Sequence, residues 1–143
     1  MRINDVLAGK GSRDVLTIRP DSTVRELVGH LADRNFGALV VSSDGSTVAG
    51  IVSERDVVRR LHQGGDVLDA PVSAIMSAEV RTCEGTDTVD EVMALMTAGR
   101  FRHVPVVKDG MLAGIVSIGD VVKSRMSELE FERDQLDSYV HGT

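Results

Sequence analysis

Two stretches decide the fold: Ala49-Gly50-Ile51-Val52-Ser53-Glu54-Arg55-Asp56 and Ala113-Gly114-Ile115-Val116-Ser117-Ile118-Gly119-Asp120. Each reads as a short apolar strand that ends on Ser and turns into a helix. The sequences around them match as well. Upstream, Val15 aligns with Val80, Thr17 with Thr82, Thr23-Val24 with Thr88-Val89, Glu26 with Glu91, Phe36 with Phe101, and Asp44-Gly45 with Asp109-Gly110. After a one-residue deletion, Asp56-Val57-Val58 aligns with Asp120-Val121-Val122. The period is about 65 residues, and two copies are too few for a solenoid, which needs three or more. A pair related by a pseudo-twofold axis and sharing one core is expected, because each half alone is near the lower size limit for folding.

Both copies have the same order, β-α-β-β-α. The first strand is Val15-Leu16-Thr17-Ile18, or Val80-Arg81-Thr82-Cys83. In the following helix Asp21-Ser22 is expected as N-cap, with Val24, Leu27, Val28 and Leu31 at helical spacing. Val89, Val92, Met93 and Met96 repeat that stripe. Buried strands follow at Ala38-Leu39-Val40-Val41 and Val104-Pro105-Val106-Val107, with hairpin turns at Asp44-Gly45 and Asp109-Gly110. The last helices carry Val57, Val58 and Leu61, or Val121, Val122 and Met126. The expected fold class is thus α/β (α+β). Its parts are an N-terminal segment 1–14, repeats 15–61 and 75–125, a linker 62–74, and a C-terminal helix or tail 126–143.

Composition narrows the function. The chain has 143 residues, 42% of them hydrophobic, a net charge of −6, and one cysteine, Cys83. That excludes wholesale disorder and an internal disulfide framework. No run approaches the ~20 apolar residues of a membrane span, and the N-terminus lacks a signal-peptide stretch. A cytoplasmic location is expected, with no membrane partner. An acidic chain lacks the basic footprint that nucleic acid requires. Arg100, Arg102 and His103 form a local basic group that suits one small anion or a solvated strand edge.

Ser53-x-x-Asp56 and Ser117-x-x-Asp120 have two readings. Ser-x-x-acid is the spacing of a capping box. A hydroxyl and a carboxylate at a strand end beside a helix N-terminus also suit a small ligand, and an Asp can accept from both hydroxyls of a ribose. The repeat order, the Phe-Arg-His-Val-Pro-Val stretch 101–106 and the two Gly-Ile-Val-Ser-x-x-Asp elements together resemble a tandem pair of CBS domains, a Bateman module, of the small stand-alone bacterial kind. The resemblance spans about Val6 to Lys123. It implies a non-catalytic module that binds adenosine ligands (AMP, ADP, ATP, NAD(H) or S-adenosylmethionine) between the repeats. It implies ribose contacts by Ser53, Asp56, Ser117 and Asp120. The implied adenine pockets use Thr17, Ile18, Leu39, Val40, Thr82, Val104 and Pro105. It places Arg102 and His103 near phosphate with Asp56; Arg100 and Arg55 are further phosphate candidates. The Asp120 site, with Gly37-Ala38 where the other has Arg102-His103, is expected to be the weaker.

No enzyme is expected. The sequence has no phosphate loop, no dinucleotide fingerprint at Gly9-Lys10-Gly11, no required cofactor, and no metal-ligand spacing among His30, His62, His103 and His141. Cys83 reads as a small strand residue rather than a nucleophile. The competing class is a structural protein-interaction module whose Ser-x-x-Asp elements are only caps. Met126, Leu129, Arg133, Leu136 and Val140 form a helical stripe with two readings, packing on its own domain or pairing with a second copy. A homodimer, acting on a regulated protein that the sequence leaves unnamed, is the expected assembly.

Overall fold

Hydroxyl side chains set the helix starts. Thr23 Oγ1 accepts from the Glu26 amide at 3.2 Å, and Thr88 Oγ1 accepts from the Glu91 amide at 3.1 Å. The caps are therefore Thr23 and Thr88, and Asp21-Ser22 lies outside the helix. The computed structural model describes residues 1–10 and 15–142. Residues 11–14 and Thr143, within the expected N-terminal segment and C-terminal tail, lie outside the described residues, as does Gly11 of the Gly9-Lys10-Gly11 loop.

The order is α1 (Ile3–Gly9), β1 (Thr17–Ile18), α2 (Val24–Arg34), β2 (Ala38–Val41), β3 (Gly50–Ser53) and α3 (Glu54–Gln63). A 3₁₀ turn at Val72–Ala74 leads to β4 (Cys83–Glu84), α4 (Val89–Gly99), β5 (His103–Lys108), β6 (Met111–Ser117) and α5 (Ile118–His141). Two three-stranded sheets form, β1-β2-β3 and β4-β5-β6, each with a parallel first pair and an antiparallel second pair. The halves repeat each other closely: Ile18 pairs with Val41 as Cys83 pairs with Val106.

Each sheet buries one face under its helices. The first core takes Val24, Leu27 and Leu31 from α2, Leu39 and Val41 from β2, Val52 and Val57. The second takes Val89, Val92 and Met96, Val104 and Val106, Val116 and Val121. Val40 and Pro105, between those strand residues and so on the opposite sheet face, are buried too. Val28, Val58, Leu61 and Val122 were expected on the core stripes, but they are exposed. They lie on the helix flank turned away from the sheets.

The segment ahead of each repeat packs on the other repeat. Ile3 and Val6 of α1 enter the second core, and Val67 and Val72 of the linker enter the first. The hydrogen bonds match. Ile3 and Asn4 amides donate to Asp87 and Gly85 carbonyls, while Val72 and Ser73 amides donate to Ser22 and Pro20 carbonyls. A Cβ at Gly114 would meet Leu7 at 2.9 Å, and one at Gly50 would meet Met76 at 2.7 Å. Stretches 1–7 and 70–76 are thus the same structural piece used twice, so each half is finished by chain belonging, in sequence, to the other.

The two hairpins differ. Asp109 (φ 53) and Gly110 (φ 79) are both left-handed, as a tight type I′ turn requires. The first repeat instead has a loop over 42–49, and Asp44-Gly45 is no hairpin turn there. The Asp44 carboxylate accepts from the Thr47 hydroxyl and from the Thr47 and Ser46 amides, which hold it well below the usual carboxylate range. The Ser46 carbonyl in that loop accepts from the Leu112 amide of the other repeat at 2.7 Å.

One further point differs from the sequence expectation. The C-terminal helix is not separate from the second repeat; α5 runs unbroken from Ile118 to His141. Every described residue beyond Glu128 is exposed, including Leu129, Leu136 and Val140. Cys83 is buried in the second core, and burial, with Asp87 adding to it, pushes its thiol up to about 12. Almost no thiolate exists at neutral pH. The native protein is expected to resist a thiol reagent that labels it fully once unfolded; fast native labelling would contradict this burial.

Candidate functional site

Each Ser-x-x-Asp element stands where an edge strand becomes a helix. Ser53 ends β3 and caps α3; Ser117 ends β6 and caps α5. Both capping boxes are complete. The Asp56 carboxylate accepts from the Ser53 amide at 2.8 Å and its hydroxyl at 3.1 Å. The Asp120 carboxylate accepts from the Ser117 amide at 2.9 Å. The cap role is therefore real in both copies, and it leaves carboxylate capacity unused.

The surroundings separate them. Asp120 and Ser117 open onto a cleft of about 1090 Å³ that crosses from one repeat to the other. Small-ligand sites run to roughly 1,000 Å³. The first repeat supplies Leu16, Phe36, Gly37 and Leu39 to its wall, and the second supplies His103 and Ile115. Local geometry explains the opening. Asn35 closes α2 in the left-handed conformation (φ 55), and the chain enters β2 through Gly37. A Cβ at Gly37 would lie 3.1 Å from the His103 ring. The glycine that looked like a lost phosphate contact is what admits the imidazole of the other repeat.

His103 faces Ser117 across the β5–β6 pair. It lines the same cleft as Asp120, and Asp56 does not. Burial holds the imidazole below its usual 6.5, with Lys10 and Arg102 reinforcing this and Asp120 and Glu54 opposing it. The ring is mainly neutral at neutral pH, able to donate from one nitrogen and accept at the other.

Lys10 is a residue that sequence reasoning missed. Its Nζ lies 2.9 Å from Asp120 Oδ2 and donates to the Ile115 carbonyl at 3.1 Å. Burial raises the Asp120 carboxyl, but the Ser117 amide and Lys10 outweigh it and hold the group below 3.8. No local pattern pairs residues so far apart in sequence, and the N-terminal piece gave no sign of packing on the second repeat.

The CBS domain family matches residues 5–63 and 72–127, most of the chain in two copies. The chain belongs to the CBS domain family. As a CBS pair it is 38% identical to the mitochondrial CBS domain-containing protein CBSX3 of Arabidopsis thaliana, over 98% of this chain and 72% of that protein. It is 30% identical to the CBS domain-containing protein YhcV of Bacillus subtilis, over 79% of this chain and 80% of that one. The crystal structure of the CBS-domain protein ATU1752 from Agrobacterium tumefaciens superposes with a TM-score of 0.83 at 46% identity, covering 87% of this chain and 99% of that one. The CBS pair of protein MJ0100, solved in complex with 5′-methylthioadenosine and S-adenosyl-L-methionine, shares the fold (TM-score 0.76, 24% identity, 86% and 98% covered).

The other residues carried over from the CBS pattern fall in different places. Leu39 lines the Asp120 cleft. Thr17 and Ile18 do not; the preceding Val15 and Leu16 do, because Ile18 turns into the first core. Val104 is likewise committed to the second core. Thr82 is exposed and precedes β4. Arg55, Arg100 and Arg102 are exposed and line none of this cleft; Arg100 closes α4 in the left-handed conformation (φ 56). Among the described residues no cluster could hold a metal ion, and no helix is long and apolar enough to cross a membrane.

Proposed function

We propose that this CBS pair is a non-catalytic, cytoplasmic regulatory module that binds an adenosine nucleotide (AMP, ADP, ATP or NAD(H)) in the Asp120 cleft. The carrying observation is the cleft between the repeats, lined by Ser117 and Asp120 and by apolar side chains from both halves. A ribose takes the free lone pairs of Asp120, and the adenine lies among Leu16, Leu39 and Ile115. Because the walls come from two repeats, a ligand that fits one relative arrangement stabilises it, and a partner protein can respond to that arrangement. The bound adenosine ligands of the MJ0100 pair support the ligand class. The test is thermal unfolding with AMP, ADP, ATP, NADH and S-adenosylmethionine, on protein stripped of co-purified ligand. A ligand at 100 times its Kd adds about 2.7 kcal/mol of stability. No shift with any of them would remove the proposal.

The second reading is a protein-interaction module without nucleotide. Its support is that both capping boxes are complete, and that α5 presents Met126, Leu129, Phe131 and Leu136 to solvent. A homodimer covering those side chains is compatible with either reading, and sedimentation measures it directly.

A further inference from the structure

The two copies of the Ser-x-x-Asp element differ in one charge. Asp120 has Lys10 at 2.9 Å, whereas no ion pair to Asp56 exists among the described residues. The backbone explains the difference. After Met76 the chain straightens, and the Ser77 amide donates to the Ile51 carbonyl at 2.9 Å. After Leu7, the equivalent residue, the chain stays helical to Gly9 and ends at Lys10. The carbonyl of Ile115, which matches Ile51, then accepts from Lys10 Nζ at 3.1 Å instead. Lys10 takes the place of a strand contact at the second edge and carries a full positive charge to the carboxylate.

That carboxylate is half engaged. Oδ2 accepts from the Ser117 amide and from Lys10, so a ribose that uses both oxygens competes with the ammonium. Arg34 and Lys108 also line the cleft, and Asp120 is its one acidic side chain among the described lining. Resting on the nucleotide reading above, we propose that Lys10 makes the Asp120 cleft discriminate adenosine ligands by charge. It pairs with Asp120 before binding and passes to the ligand's phosphate as the ribose hydroxyls take the carboxylate. A nucleoside without phosphate must break the same pair and offers nothing in return. An ammonium bound to phosphate makes one of the stronger hydrogen bonds available. Lys10 also ends α1, which packs on the second core, so its transfer links occupancy of the cleft to the N-terminal helix.

The test is calorimetric titration of AMP and of adenosine, two ligands that differ only by the phosphate. It uses the full chain with Asp56→Asn to silence the other copy, alone or combined with Lys10→Met or Lys10→Arg. With Lys10 intact, AMP is expected to bind about tenfold or more tighter than adenosine. Lys10→Met is expected to lower that ratio about tenfold, by weakening AMP and strengthening adenosine, and Lys10→Arg to keep the preference. An unchanged ratio in Lys10→Met overturns the role of Lys10 and leaves nucleotide binding standing. Failure of the wild-type chain to bind AMP or adenosine overturns this inference, and the nucleotide reading falls with it when ADP, ATP and NADH also give no thermal shift.

Discussion

Asp120→Ala is expected to weaken AMP binding about 100-fold or more, and Asp56→Ala by much less. A hydrogen bond to a charged group contributes about 1.5–3 kcal/mol, and a carboxylate that holds both ribose hydroxyls makes two. Both substitutions also remove a capping box, so both should lower stability by about 1 kcal/mol. Melting temperature and affinity therefore separate the two roles. Similar stability losses with unequal affinity losses assign the cap to both residues and the ligand to Asp120. Equal affinity losses would remove this ranking. The order is the reverse of the one the sequence suggests, because His103 and Lys10 both lie with Asp120.

Ile3→Ala is expected to destabilise the protein by about 3 kcal/mol, in the range for emptying a fully buried aliphatic site. At this chain length that lowers the melting temperature by roughly 10 °C. Ile3 stands near the start of the chain, where substitutions are ordinarily tolerated. Here its side chain is 0% exposed in the second core, and its amide donates to the Asp87 carbonyl at 2.9 Å. Val72, its structural counterpart in the linker, is also 0% exposed, and Val72→Ala should destabilise through the first core by a smaller amount, since less side chain is removed. Denaturant unfolding of both variants measures this. A loss below about 0.5 kcal/mol for Ile3→Ala, the level of an ordinary surface change, would show that α1 is not part of the core.

Much of the architecture was legible in the sequence because it is local. Helical spacing placed Val24, Leu27 and Leu31 on one buried stripe, and Val89, Val92 and Met96 on its copy. The Asp109-Gly110 pair demanded left-handed backbone and made a tight turn. Asp44-Gly45 looked the same and was not, because in the longer connection Asp44 accepts from the Ser42 and Thr47 hydroxyls and the Ser46 and Thr47 amides, and a loop formed instead. Val58 and Leu61 were misplaced because periodicity shows that a helix has an apolar stripe but not how much of it the sheet covers.

Of the site, the sequence by itself determined the repeated strand–Ser–x–x–Asp–helix unit, since a cap is a contact between residues three apart. Only the tertiary structure decided which chain segment completes each half and what faces each Asp. Lys10 meets Asp120 across 110 positions, and His103 meets Gly37 from the other repeat. Such pairs follow from how α1 and the two sheets pack, which residue spacing does not encode. The repeat made the two carboxylates look alike, and packing gave the charged partner to one of them.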